Sequence, residues 1–134
     1  MRALVLLLAI FAGLSFAAHA DDDVVAARTV ITSQAEAFAR DDDAAAFAYA
    51  SPALKQIFQQ PAMFMAMVRS RYAPVYRHKS FEFGEGKVEN GKITQNVHIR
   101  DDDGALWEAM YTLERQPDGS LKITGCVLLK TIGA

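Results

Sequence analysis

The chain has 134 residues, of which 51% are hydrophobic and 22% charged, with a formal net charge of −2 at pH 7. That length fits a single domain, and that composition excludes intrinsic disorder. The slight negative charge excludes a generally basic nucleic-acid binder, and a single cysteine excludes both an intramolecular disulfide framework and a cysteine-based zinc site.

Met1-Arg2 makes a short positive start, and Ala3 to Phe16 is almost wholly apolar. Ala18-His19-Ala20 is a small-x-small pattern, followed at once by Asp21-Asp22-Asp23. These features predict a signal peptide over 1–20, cleaved after Ala20, and one domain over 21–134. The apolar run stops at Ala18, short of the roughly 20 residues a spanning helix needs, and no later run is long enough. The expected location is therefore periplasmic or secreted, in a bacterial cell envelope, with no membrane span after cleavage.

Val24 to Arg40 reads as an amphipathic helix: Val24, Ala27, Ile31, Ala35 and Phe38 recur at spacings of three and four. Asp21 to Asp23 stand where carboxylates cap its first N–H groups. Asp41 to Asp43 repeat the signal before a shorter helix, Ala44 to Ala50. Ser51-Pro52 reads as an N-cap with proline at the first helical position, opening a helix to about Phe58. Pro61 starts another, Ala62 to Tyr72, rich in methionine, which Pro74 is expected to end.

After Lys79 the period changes to two. Phe81 and Phe83, then Ile93, Val97 and Ile99, then Trp107, Ala109, Tyr111 and Leu113, then Leu121 and Ile123 alternate with polar residues. Asn90-Gly91, Asp103-Gly104 and Asp118-Gly119 separate these runs and predict tight type I′ hairpins. The expected fold class is α+β: N-terminal helices packed on a curved four-stranded antiparallel sheet.

That order resembles the nuclear transport factor 2-like cone, also called cystatin-like or ketosteroid-isomerase-like. More specifically, the chain resembles the bacterial family called domain of unknown function 4864. The likeness rests on Ser33-Gln34, Ala37-Phe38 with Asp41-Asp42, Phe47-Ala48-Tyr49-Ala50-Ser51-Pro52, Met65-Ala66-Met67-Val68, and Pro74-Val75-Tyr76-Arg77. Tyr111 to Ser120 and Gly125-Cys126 complete it, so that it covers residues 24 to 129. The resemblance implies a pocket between helices and sheet that takes a small apolar ligand. In enzymes of that fold the pocket holds an acid–base pair, which needs an inward carboxylate or histidine and a tyrosine or acid for the oxyanion.

Strand parity turns Gln95, Trp107 and Tyr111 inward and His98, Glu108 and Glu114 outward, so no inward base is expected. The pocket candidates are Gln34, Tyr49, Tyr72, Tyr76, Trp107 and Tyr111; the plainer account of the aromatics is core packing. Met63, Phe64 and Met67 could form an adaptable apolar groove, although core packing is the plainer account of an ordinary amphipathic stripe. Cys126 reads as a buried small hydrophobe, and as a reactive thiol only with a base beside it. The three Asp triplets sit where caps and turns want aspartate, so no metal and no cofactor are expected. Arg69, Arg71, Arg77, His78 and Lys79 could hold an anion or a lipid headgroup, although a solvated face explains them.

The outer sheet face, with Asn96, His98, Glu108, Met110 and Thr112, permits a homodimer of the kind the resembled folds form. The function expected is an exported, non-catalytic small-ligand-binding or interaction domain. The alternatives are an isomerase- or dehydratase-type enzyme of the cone fold and a structural accessory to another envelope protein.

Overall fold

The computed structural model describes residues 14–131. Most of the expected signal peptide, residues 1–13, lies outside them. Helix α1 spans Leu14–Ala39. It starts ten residues before Val24, so Asp21 to Asp23 lie within it and do not cap it. The reason is local: no glycine or proline interrupts 14–39, and the alanines at 17, 18 and 20 favour helix. Asp23 instead pairs with Arg115 at 2.8 Å.

Helix α1 ends in a left-handed turn at Asp41 (φ 56°). Asp42 N donates to Ala37 O at 2.9 Å and Asp41 N to Phe38 O at 3.1 Å, the two bonds of a Schellman stop. The Asp42 carboxylate then accepts from Ala45 N at 3.0 Å and caps α2, Asp43–Ala48. Ser51 caps α3, Pro52–Phe58, in the same way, accepting from Leu54 N at 3.3 Å. Helix α4 covers Pro61–Arg71. It stops ahead of Pro74, and a further single turn, α5 (Ala73–Tyr76), carries that proline in its first turn, where a missing N–H costs nothing.

The sheet is β1 (Ser80–Glu89), β2 (Lys92–Arg100), β3 (Leu106–Arg115) and β4 (Leu121–Lys130), antiparallel in the order β1-β2-β3-β4. The fold is thus α+β as expected. Only Asn90-Gly91 has both residues at positive φ, 51° and 76°, as a type I′ hairpin requires. At the other two turns only Gly104 and Gly119 are left-handed. There Gly104 N donates to Asp101 O and Gly119 N to Gln116 O, closing longer hairpin loops than the type I′ turns expected.

Two bulges reverse the inward parity along the edge strands. In β1, Gly84 and Glu85 stand against Asn96 alone, so Phe81 and Phe83 face inward before the bulge and Gly86 and Val88 after it. In β4, Thr124 has no register partner, so Leu121 and Ile123 are followed inward by Cys126 and Leu128. The core joins Ala27, Ile31 and Phe38 of α1 to Ile93, Val97 and Leu113 of the sheet, all buried. At Gly86 the helix crosses so closely that a Cβ would sit 2.7 Å from Val24 Cγ1 and 2.5 Å from Gln95 Oε1, which only glycine permits.

Candidate functional site

The helices do not fill the inner face evenly. A cavity of about 560 Å³ lies between the helices and the β3–β4 half of the sheet. Its floor is Tyr111, Ile123, Gly125 and Cys126. Gly125 and Cys126 follow directly on the Thr124 bulge, and with Ala50 they are small residues that leave the space open. The walls are apolar: Phe38 from α1, Leu54 and Phe58 from α3, and Phe64, Met67 and Val68 from α4. Phe64 is central, with ring centroids of Phe38, Phe47 and Phe58 at 6.2, 5.5 and 5.6 Å. Ser51 N donates to Ile123 O at 2.8 Å and Ile123 N to Tyr49 O at 2.9 Å, tying the α2–α3 junction to β4 beside the floor.

Few polar groups reach this space. Gln34 is 4% exposed; its Nε2 donates to Ala46 O at 3.1 Å. Tyr72 donates its hydroxyl to Cys126 O at 2.7 Å. The Tyr111 hydroxyl makes no hydrogen bond among the described residues. No polar side-chain atom there is sealed off without a partner, so that hydroxyl and the Gln34 Oε1 open onto the cavity. Burial holds the Tyr111 phenol well above its ordinary range, keeping it a neutral donor. Burial likewise raises Tyr72, against the nearby positive charge of Arg71. The Cys126 thiol is pushed up to about 12 by burial. It therefore stays protonated at neutral pH, which fits a small, half-buried hydrophobe.

Of the six candidates, the structure brings Gln34, Tyr72 and Tyr111 to one cavity. Tyr49, Tyr76 and Trp107 do not line it. Tyr49 is a half-buried residue packed on the core. Tyr76 belongs to a surface cluster: its hydroxyl donates to the Asp41 carboxylate, and the Arg77 guanidinium stacks 3.9 Å from its ring centroid. Arg69 completes the cluster, 3.5 Å from Asp41. Trp107 lines a second hollow of about 460 Å³, with Ser80, Glu82, His98 and Arg100. Its indole N–H donates to Asp101 Oδ2 at 2.8 Å.

Arg71, which the sequence placed in a basic cluster able to hold an anion or a lipid headgroup or simply to face solvent, lines the cavity. Phe64, Met67, Val68 and Arg71 follow the helical spacing of three and four, so the charge ends an apolar stripe. No Asp, Glu or His stands on the cavity wall among the described residues. Nor do those residues contain a group of three or more His, Cys, Asp or Glu placed to hold a metal ion. No helix among them is long and apolar enough to cross a membrane.

The family model Domain of unknown function (DUF4864) matches residues 20–134, and the chain belongs to that family. No curated protein and no solved structure matches the chain.

Proposed function

We propose that this family member is an exported, non-catalytic domain that holds one small, largely apolar ligand between its helices and its sheet. The cavity of about 560 Å³ carries the reading. Protein interiors ordinarily close such spaces, and this volume is that of a small-molecule pocket. Its makeup supports the same reading: apolar walls, with an open phenol and an open amide oxygen to orient a guest. A wall without carboxylate or imidazole leaves the general-base role of the isomerase-type alternative unfilled.

The leader pattern supports export. Cleavage after Ala20 would leave Asp21 to Asp23 in the first turn of α1, where carboxylates complement the helix dipole. Asp23 would keep its ion pair with Arg115 and Val24 its seat over Gly86. The outer sheet face supports a second reading, a homodimer. Met110 and Val127 pair across β3–β4, and with Leu106 and Leu129 they are exposed by 41%, 56%, 43% and 61%. An isologous pair would cover that patch.

Native mass spectrometry tests these readings on protein recovered from the envelope fraction of cells expressing the full chain. The expected species begins at Asp21, flies as a dimer and carries an added mass of a few hundred daltons. A bare protein that also takes up no neutral apolar dye would overturn the ligand reading.

A further inference from the structure

We infer that the ligand is an anionic amphiphile, an apolar body ending in a carboxylate, with the carboxylate at Arg71; this rests on the cavity being a ligand site. Arg71 is the one charged residue on the cavity wall among the described residues. The neighbouring cations are committed elsewhere. Arg69 reaches Asp41 at 3.5 Å and Asp43 at 3.9 Å, and Arg77 reaches Asp41 at 3.1 Å. Arg71 has no such ion pair among the described residues, and its side chain is exposed at the rim, in the last turn of α4.

The position suits an amphiphile. A positive charge at the mouth of an apolar chamber selects a guest whose charge is negative and terminal. Nothing acidic on the wall opposes it. A buried cation of the ligand would meet only neutral groups, because Tyr111 and Cys126 both keep their protons at neutral pH. A guanidinium keeps its charge throughout the working range, so the ligand's own titration governs the contact. Affinity is flat around neutral pH and falls as the ligand carboxyl is protonated.

Titration calorimetry with three ten-carbon probes, each below its micelle concentration, tests the assignment: decanoate, decanol and decyltrimethylammonium. The folded full chain and its Arg71→Gln and Arg71→Lys variants are compared. Decanoate is expected to bind about five- to tenfold more tightly than decanol, the range of a charge-assisted contact at a solvated rim. R71Q removes that difference and leaves decanol unchanged, R71K keeps part of it, and high salt shrinks it. Equal binding of decanoate and decanol, or a preference for decyltrimethylammonium, overturns the role of Arg71 while the cavity remains a ligand site. No binding of any probe overturns both.

Discussion

Gln34 and Gln95 are both buried carboxamides, one on α1 and one on β2, yet they stand in opposite situations. Gln95 is saturated. Its Oε1 accepts from Arg28 Nε at 3.0 Å, and its Nε2 donates to Gly84 O at 3.0 Å, Asn96 O at 2.8 Å and Glu85 O at 3.3 Å. Arg28 closes the network by donating to Gly84 O at 3.0 Å. This amide replaces the ladder bonds that the β1 bulge gives up, and it locks α1 to that edge of the sheet. Gln34 has a single protein partner among the described residues and an oxygen open to the cavity. One half of the inner face is therefore finished by its own side chains, and the other half keeps an open cavity.

The largest expected effect lies on the saturated side. Gln95→Leu keeps the volume but strips the bulge carbonyls and Arg28 of their partner, and it should lower stability by about 3 kcal/mol. Gln34→Leu should cost about 1 kcal/mol or less, since Ala46 O also accepts from Tyr49 N. Urea unfolding of the two variants decides the matter. Equal losses would mean that Gln34 is as structural as Gln95 and would break the contrast.

A middle-sized effect belongs to the open side, which holds Cys126 and Tyr111. The Cys126 thiol titrates near its ordinary value of 9.0 in the unfolded chain and at about 12 in the folded one. Between those values the unfolded state has lost a proton that the folded state retains. Stability is therefore full below about pH 9 and falls as pH rises towards 12. Tyr111, also raised by burial, adds to the loss at the alkaline end. Melting temperatures should decline above about pH 9, and Cys126→Ala should make the decline shallower. An unchanged slope in that variant would show the thiol to be as accessible in the folded chain as in the unfolded one.

How far this contrast was legible in the sequence depends on which interactions are local. Ser51-Pro52, Asp42 and Asn90-Gly91 announce themselves because capping and turn formation involve neighbours in sequence, and all three act as read. Alternation turned Gln95 and Tyr111 inward for the same reason. The bulges at Gly84-Glu85 and Thr124 were not legible, because each is defined by a partner strand. With them went the inward turn of Cys126 and hence the cavity floor. The start of α1 was misplaced because aspartates can cap a helix or ride inside one, and the composition does not distinguish the two. The cavity itself has no sequence signature: Phe38, Phe64 and Val68 would read the same if their stripes met without a gap. Tyr49, Tyr76 and Trp107 were grouped with Tyr111 by side-chain type, and topology sends them to three other places.

The smallest expected effect is spectroscopic and marks where the open region ends. Trp107 is the chain's one tryptophan, and it lies away from the cavity. Filling the cavity should leave its emission maximum in place. What should move that maximum is Asp101, whose carboxyl is held below its ordinary 3.8, first by the Trp107 indole N–H and then by the Ala105 and Asp103 backbone amides. The favourable contact is present above the ordinary carboxyl value and is lost as pH falls through the lowered one. A fluorescence titration should then show the Trp107 emission shifting only at pH below 3.8, and Asp101→Asn should abolish the shift. A shift produced by decanoate at neutral pH would mean that the guest reaches the Trp107 end of the sheet, and the division between a finished half and an open half would have to be redrawn around that residue.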